Sequence, residues 1–180
     1  MTETITSETL WIETYTGIKF YPLRPRVSDI RPEDIGHALS MICRFNGHCH
    51  QFYSVAEHCV RVAALLPPRL QLGGLLHDAA EAYIADLSRP VKHQLAGVAD
   101  IEHAILDVIL ARFGAPYDRD LVKWADNVML ATEARDLMAS TDGWYLPEPA
   151  LPGRIDPWPQ PVAKRAWLDI FHGVSEVPEA

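Results

Sequence analysis

The chain has 180 residues, of which 48% are hydrophobic and 22% are charged, and its formal net charge is -8. This length is enough for one well-buried core but too short for two independent domains, and the composition is typical of globular proteins. The acidic balance argues against a nucleic-acid polymer as partner, because affinity for the phosphate backbone depends on lysine and arginine patches.

We therefore expect a single domain, residues 1–180. The first ten residues, MTETITSETL, have neither the basic segment nor the apolar core of a secretory signal. No apolar run reaches the roughly 18 residues needed to cross a bilayer, which predicts a cytoplasmic protein with no membrane partner. An odd number of cysteines in such a chain favours free thiols over disulfides; they are Cys43, Cys49 and Cys59.

The N-terminal arm, residues 1–31, precedes the predicted helices. From Leu10 to Leu23 it mixes β-branched and aromatic residues around Thr16-Gly17, which predicts a short hairpin or an extended strand. The first core helix is expected over Pro32–Arg44, since a proline and two acids open it and apolar residues then recur at helical intervals.

A capping box, Ser54 to Glu57, predicts the start of a second helix that runs to about Leu66. The pair Pro67-Pro68 should end it, because proline cannot donate the next backbone hydrogen bond. A third helix is expected to carry apolar residues from Leu70 to Ala80, with the pair His77-Asp78 in its middle.

Two further helices are predicted over Ile101–Phe113, which Gly114 closes, and over Asp120–Met138. A proline- and glycine-rich surface segment follows, and a last short helix is expected over Val162–Phe171. The predicted fold class is thus an all-α bundle of about six helices, with a core over about residues 32–138 and a C-terminal part over residues 139–180.

Four side chains on three predicted helices are candidate metal ligands: His58, His77, Asp78 and Asp126. Two imidazoles with two carboxylates suit a hard or borderline divalent cation and leave coordination positions open. Taken singly, His58 could be a polar residue at a helix start and Asp126 a solvated acid.

Three segments, SVAEHCVRVA, LLHDAAEAYIADLSRPVK and KWADN, resemble the HD-domain metal-dependent phosphohydrolases. The likeness spans roughly Ile35 to Met138. It is to the small branch that includes 5'-deoxynucleotidases and phage-type deoxynucleotide triphosphohydrolases. The resemblance implies an HD-domain helical bundle in which the four side chains hold one divalent ion. The donor set suits manganese, cobalt, iron, nickel, zinc or magnesium.

Glu81 and Asp86 are the candidate catalytic residues. Glu81 follows Asp78 by three positions, so one helical face would present both carboxylates, and a carboxylate beside the ion can take a proton from water. The resemblance assigns the catalytic role to the matching glutamate and implies that Asp86 contacts the sugar or assists proton transfer. The alternatives are a surface acid at Glu81 and an acid that merely ends a helix at Asp86.

Substrate contacts are expected from Arg44, Lys92 and Lys123, which match phosphate-binding positions of the relatives. Phe45 stands where those nucleotidases often have tryptophan, and it would wall the sugar or stack on the base. The alternatives are solvated lysines and a core phenylalanine. Glu133 is a candidate support for the metal site or, equally, part of a surface ion pair.

Other histidines suggest weaker sites. A zinc site at His48, Cys49 and His50 would lack paired ligand spacing and would need a fourth ligand from elsewhere. His93 and His103 lie where two-metal relatives carry additional histidines, but the spacing lacks their histidine pair, which favours a single metal.

The expected function is divalent-metal-dependent hydrolysis of a phosphomonoester of a small (deoxy)nucleotide. One alternative is a triphosphohydrolase that releases nucleoside and tripolyphosphate from a nucleoside triphosphate. Two others are a non-catalytic sensor that binds a metal and a nucleotide, and a purely structural protein without metal. Related proteins are commonly dimers or larger assemblies, so a homo-oligomer is possible.

Overall fold

The N-terminal arm forms a short antiparallel hairpin in the computed structural model, which describes residues 10–175. Strand β1 (Ile12–Glu13) pairs with β2 (Lys19–Phe20), and Ile12 lies opposite Phe20. The turn contains Gly17 at a φ of 82°, a conformation that L-residues rarely adopt. The predicted hairpin is thus confirmed. Residues 1–9 of the predicted arm and residues 176–180 of the predicted domain lie outside the described residues.

The rest of the described chain is mostly helical. Its helices are α1 (Pro32–Met41), α2 (Val55–Ala64), α3 (Gln71–Leu76), α4 (Glu81–Ile84), α5 (Arg89–Lys92), α6 (Val98–Phe113), α7 (Arg119–Leu137) and α8 (Gln160–Ser175). The six predicted helices correspond to α1, α2, α3, α6, α7 and α8. Single helical turns, such as α4 and α5, bury too few periodic residues to stand out in a sequence pattern.

Several predicted helix boundaries differ from the structure, including the start of α6 at Val98 rather than Ile101. Helix α1 ends at Met41 rather than Arg44, because Ile42 is extended and Arg44 opens a separate 3-10 turn. Helix α8 is longer than predicted, since it begins at Gln160 and continues to Ser175. By contrast, Gly114 closes α6 in the left-handed conformation, as predicted.

Helix α2 lies at the centre of the fold and contacts α1, α3, α7 and α8. Its apolar side chains belong to the main core, where Trp167 of α8 is fully buried. A second cluster joins Val62 and Leu66 to Ala125 and Met129 of α7. Because α2 is packed from several sides, the polar residues in its first turn are held in fixed positions.

The proline-rich segment after α7 is tied back to the helices. Asp136 accepts a hydrogen bond from the amide of Ile155 at 2.9 Å, and Glu57 of α2 accepts one from the amide of Trp158 at 2.8 Å. These bonds satisfy backbone amides that no regular element would pair. In the part of the chain that the structure describes, no helix is long and apolar enough to cross a membrane.

Candidate metal centre

His58 reaches the centre from the first turn of α2. The hydroxyl of Ser54 accepts a hydrogen bond from the amide of Glu57 at 3.1 Å, which is half of the predicted capping box. The other half is absent, because the carboxylate of Glu57 instead bonds Arg61 and the amide of Trp158. The imidazole of His58 is fully buried.

The pair His77-Asp78 does not lie in the middle of a continuous helix, so that prediction is wrong. Helix α3 ends at Leu76, and the chain tightens into turns in which Glu81 donates its amide hydrogen to the carbonyl of Asp78 at 3.0 Å. The carbonyl of Gly74, which a continued α-helix would use, accepts a hydrogen bond from Nδ1 of His77 at 2.8 Å. Residues three apart eclipse in such tight turns, which brings Asp78 and Glu81 to one side.

Asp126 is presented by α7. The side chain of Asp118 caps this helix by accepting a hydrogen bond from the amide of Leu121 at 3.1 Å. Ala125 belongs to the second apolar cluster. The next residue on α7, Asp126, therefore lies beside that cluster. Its Oδ1 atom lies 3.4 Å from Nε2 of His58.

The four predicted ligands converge on one point. Nε2 of His58 lies 3.3 Å from Nε2 of His77 and 3.6 Å from Oδ2 of Asp78, and the last two atoms are 3.1 Å apart. Donor atoms that share an ion at about 2.1 Å lie about 3.0 Å apart in octahedral and about 3.4 Å apart in tetrahedral coordination. The donors of His58, His77 and Asp78 therefore have about the spacing of ligands around one divalent cation, and donors of His58, His77 and Asp126 lie within 4.8 Å of one another.

Both histidines present the same tautomer to this point. Nδ1 of His58 donates a hydrogen bond to Oε1 of Glu133 at 2.6 Å, and Nδ1 of His77 donates to the carbonyl of Gly74. The lone pair of each Nε2 atom is thereby directed at the site, as a metal ligand requires. The suggested support from Glu133 is thus present in the structure, where this residue is fully buried rather than on the surface.

Arg44 completes the support around Glu133. Its Nε and one terminal nitrogen lie 3.0 Å from Oε2 of Glu133, and another terminal nitrogen lies 3.7 Å from Oδ2 of Asp78. Burial raises the pKa of Glu133, but the charges of Arg44 and His58 outweigh it and hold that pKa below its usual value. Arg44 therefore orients the metal centre indirectly, through its contacts with the carboxylates of Glu133 and Asp78.

Glu81 is buried beside the ligands, and its Oε2 atom has no hydrogen-bond partner among the described residues. Burial raises its pKa, and the charges of Asp78 and Asp86 raise it further, well above the usual value. A buried carboxylate without a partner is costly unless it has a function or a ligand. Asp86 follows the end of α4, where Ala85 adopts a φ of 70°.

A cavity of about 760 Å³ opens beside the centre. All six predicted catalytic and substrate-contacting residues line it, together with two of the ligands: Arg44, Phe45, Glu81, Asp86, Lys92, Lys123, Asp78 and Asp126. This volume is in the range of small-molecule sites. The structure thus brings together residues that are far apart in the sequence.

The predicted phosphate contacts already have carboxylate partners. The ammonium group of Lys92 lies 2.6 Å from Glu102, and that of Lys123 lies 2.7 Å from Asp126. Lys123 is half exposed, so its pair contributes little stability and can exchange partners.

Sequence reasoning missed several residues around the centre. Arg89, Trp144 and Tyr145 line the cavity, and Cys59 offers a sulfur that groups with His77 and Asp78 within 4.8 Å. The position of Cys59 directly after His58 was the available signal. Burial raises the pKa of this thiol to about 11, which favours the protonated form, a poor metal ligand.

The alternative zinc site does not assemble. Among the described residues, neither potential metal-binding group includes His48, Cys49 or His50. Instead, the sulfur of Cys49 lies 3.6 Å from that of Cys43, and both cysteines are free thiols, as is Cys59. His93 lines the cavity, whereas His103 is exposed on α6.

Two relatives share most of the chain. The sequence is 42% identical over 138 residues to the uncharacterized protein YfdR of Escherichia coli (strain K12), which covers 76% of this chain and 77% of the relative. It is 33% identical over 143 residues to the uncharacterized protein RCAP_rcc00048 of Rhodobacter capsulatus, covering 71% of this chain and 72% of the relative. No protein-family model matches the chain.

Proposed function

The chain belongs to the same protein family as YfdR, and we propose that it is a divalent-metal-dependent phosphohydrolase of the HD-domain type that acts on small nucleotides. The observation that carries this proposal is the proximity of donor atoms of His58, His77, Asp78 and Asp126, beside the Oε2 atom of Glu81, which has no hydrogen-bond partner among the described residues. A structural ion would need neither a buried base nor an open cavity next to it.

The four ligands have two tasks, which are to hold the ion and to balance its charge. His58 and His77 would hold the ion through Nε2, while Asp78 and Asp126 would supply carboxylate oxygens that neutralise its positive charge. A divalent cation in this place supplies Lewis-acid polarisation of a phosphoryl oxygen and lowers the pKa of water. The preferred reaction is hydrolysis of a 5'-phosphomonoester.

Glu81 acts as the general base. Its Oε2 atom faces no donor in the described protein, so it is available to accept the proton of the attacking water. Burial raises the pKa of Glu81, and the positive charge of a bound cation would lower it again, which would leave the carboxylate ionised and able to accept the proton. Asp86, in the same cavity, contacts a sugar hydroxyl or passes the proton on.

Positive side chains offset the charge of the phosphate. Lys123 bonds Asp126 in the protein without substrate. When Asp126 binds a cation, its charge is neutralised and Lys123 is released to contact a phosphate oxygen. Lys92, whose ammonium group bonds Glu102 in the protein without substrate, exchanges this partner for a phosphate oxygen, while Arg44 keeps its bonds to Glu133 and positions Asp78.

A second candidate reaction is the release of tripolyphosphate from a nucleoside triphosphate. It is favoured by the number of cationic side chains that line the cavity, which exceeds the need of a monophosphate: Arg44, Arg89, Lys92 and Lys123. Both reactions use the same centre. They differ in whether the attacked α-phosphate carries two further phosphates.

Product analysis tests the proposal. The purified chain is incubated with nucleoside mono-, di- and triphosphates and with each candidate metal, and released phosphate and tripolyphosphate are quantified. The Glu81→Gln variant should keep the metal and lose most of the turnover, whereas Glu33→Gln, on the exposed first turn of α1, should retain it. If no nucleotide yields either product with any metal, the protein is not a nucleotide phosphohydrolase.

A further inference from the structure

Two aromatic side chains line the cavity without contributing to the core. Trp144 is 38% exposed and Tyr145 is 81% exposed, although both are large and apolar. They lie in the irregular segment after α7 and share the cavity with Asp78 and Glu81. Adjacent exposed aromatic rings at a cavity are characteristic of a binding surface rather than of a solvated loop.

Local structure holds the ring of Trp144 in position. The amide of Trp144 donates a hydrogen bond to the carbonyl of Thr141 at 3.1 Å, and Gly143 adopts a φ of 79° within this turn. The indole meets the ring of Phe45 edge-on, with 6.0 Å between the ring centroids. The surface is thus formed by two segments that are almost a hundred residues apart in the sequence.

Phe45 is held there at a cost in backbone energy. Its φ of 55° and ψ of 31° lie in the left-handed region, which bulky residues avoid. Such strained residues cluster at sites that bind ligands. Phe45 directly follows Arg44, whose guanidinium is fixed by Glu133. The strained backbone at Phe45 is therefore attached to a residue that supports the metal centre.

The charged side chains line only part of the cavity, so a neutral, planar group can bind beside them. Lys92 and Lys123 pair with carboxylates, while Arg89, on α5, is the cavity arginine without an ion pair among the described residues. A phosphate alone would contact only the charged side of this cavity. The rings of Phe45, Trp144 and Tyr145 offer faces and edges to a second, flat part of the ligand.

We propose that Phe45, Trp144 and Tyr145 form a nucleobase-binding wall, which makes the protein selective for nucleotides over sugar phosphates. This inference rests on the proposed function, because it places the phosphate at the metal centre and the base at the wall. Stacking on aromatic rings tolerates different bases, since each base has a π-face. The wall therefore favours ligands that carry a base over ligands that do not, with little preference for which base it is.

Base-free substrates test the wall. The manganese-loaded chain is assayed with deoxyadenosine 5'-monophosphate, thymidine 5'-monophosphate and 2-deoxyribose 5-phosphate, which is the same sugar phosphate without a base. The expected kcat/KM for at least one nucleotide exceeds that for the sugar phosphate by about tenfold or more. In Trp144→Ala this ratio should fall about tenfold, and Trp144→Phe should restore most of it.

Trp11→Ala is the matched control, because Trp11 is 41% exposed but lies outside the residues that line the cavity. Its ratio should equal that of the unchanged chain, and equal thermal stability of the variants should exclude unfolding. Equal kcat/KM for all three substrates, or an unchanged ratio in both Trp144→Ala and Tyr145→Ala, would overturn the wall.

Calorimetric binding of the same compounds separates this inference from the proposed function. If none of them is hydrolysed, but a nucleotide binds more tightly than 2-deoxyribose 5-phosphate and loses this advantage in Trp144→Ala, the wall stands and the preferred phosphomonoester reaction fails. If all three are hydrolysed and bind equally well, the enzymatic proposal stands and the wall fails.

Discussion

Glu133 accepts a hydrogen bond from Nδ1 of His58 at 2.6 Å, and both side chains are fully buried. The bond joins α2 to α7 across 75 positions of the sequence. It fixes the imidazole plane, selects the tautomer whose Nε2 faces the centre, and adds negative charge behind the ligand. A ligand that is oriented in advance loses less conformational entropy when it binds an ion.

Replacement of Glu133 by glutamine should weaken metal binding. The amide keeps the shape of the side chain, but it removes the charge that faces both His58 and the guanidinium of Arg44. We expect the Kd for manganese, measured by calorimetry, to rise about 10- to 100-fold. Glu33→Gln is the control with the same chemical change on an exposed residue. An unchanged Kd in Glu133→Gln would show that the bond is not needed to orient His58.

Lys123→Met should have the opposite effect on the metal. The ammonium group competes with a cation for Oδ2 of Asp126, which it contacts at 2.7 Å. An exposed pair contributes about 0.2–1 kcal/mol, so its removal should tighten manganese binding about one- to fivefold. The same variant should raise KM for the nucleotide, because a phosphate contact is lost. A weaker affinity for manganese would contradict this account of the pair.

Gly73→Ala should destabilise the fold near the centre. A Cβ atom at this position of α3 would collide with the carbonyl oxygen of Pro116, in the loop between α6 and α7. Because the obstacle is backbone, relief requires α3 to shift, which we expect to lower the free energy of unfolding by about 1–3 kcal/mol in urea titrations. At Gly153 an added Cβ meets nothing within 4 Å, so Gly153→Ala should change stability little. Equal stabilities of the two variants would refute the close packing of α3.

The stability contributed by Asp136 should depend on pH. Hydrogen bonds from Arg135 and from the amide of Ile155 hold the pKa of this carboxyl below its usual value. A depressed pKa means that the stabilisation is present above the unfolded-state pKa of about 3.9 and disappears as the pH falls through the lower folded-state pKa.

Asp136→Asn should therefore be less stable than the unchanged chain at pH 7, by about 1–2 kcal/mol. The difference should begin to narrow below about pH 4, where the unfolded chain takes up a proton, and should vanish below the lowered folded-state pKa, where both chains carry an uncharged group at this position. Urea titrations at several pH values measure it, and Asp107→Asn on the exposed face of α6 serves as control. A difference that stays constant down to pH 3 would exclude the ionised carboxylate as its origin.

The helices were predictable where local signals agree with the packing. The cap at Ser54, the glycine at Gly114 and the apolar period of α1 act within a few residues, so their effects are visible in the sequence. The break after α3 was not predictable from apolar period, because it depends on a side chain. Nδ1 of His77 donates a hydrogen bond to the carbonyl of Gly74, which a continued helix would use for a backbone amide. A hydrophobic pattern contains no information about this competition between a side chain and the backbone.

The centre was more predictable than the cavity around it. His58, His77, Asp78 and Asp126 were predictable as a set, because two imidazoles and two carboxylates on separate predicted helices are the donors that a divalent cation requires. Trp144 and Tyr145 stand in a segment without period, where an aromatic residue has no preferred partner. Only the folded chain places Trp144 against Phe45 and Tyr145 beside the same cavity. The ion pair of Lys123 with Asp126 is local, three positions apart on one helix, whereas the pair of Lys92 with Glu102 joins two helices and is not indicated by the sequence.

The number of divalent ions bound per chain tests the central claim most directly. Equilibrium dialysis against manganese, followed by elemental analysis, should give one ion per chain for the unchanged protein. The His77→Ala variant should lose that ion, whereas His103→Ala, on the exposed face of α6, should retain it. Absence of a bound ion in the unchanged protein, or the same stoichiometry in His77→Ala, would contradict a metal centre formed by His58, His77, Asp78 and Asp126.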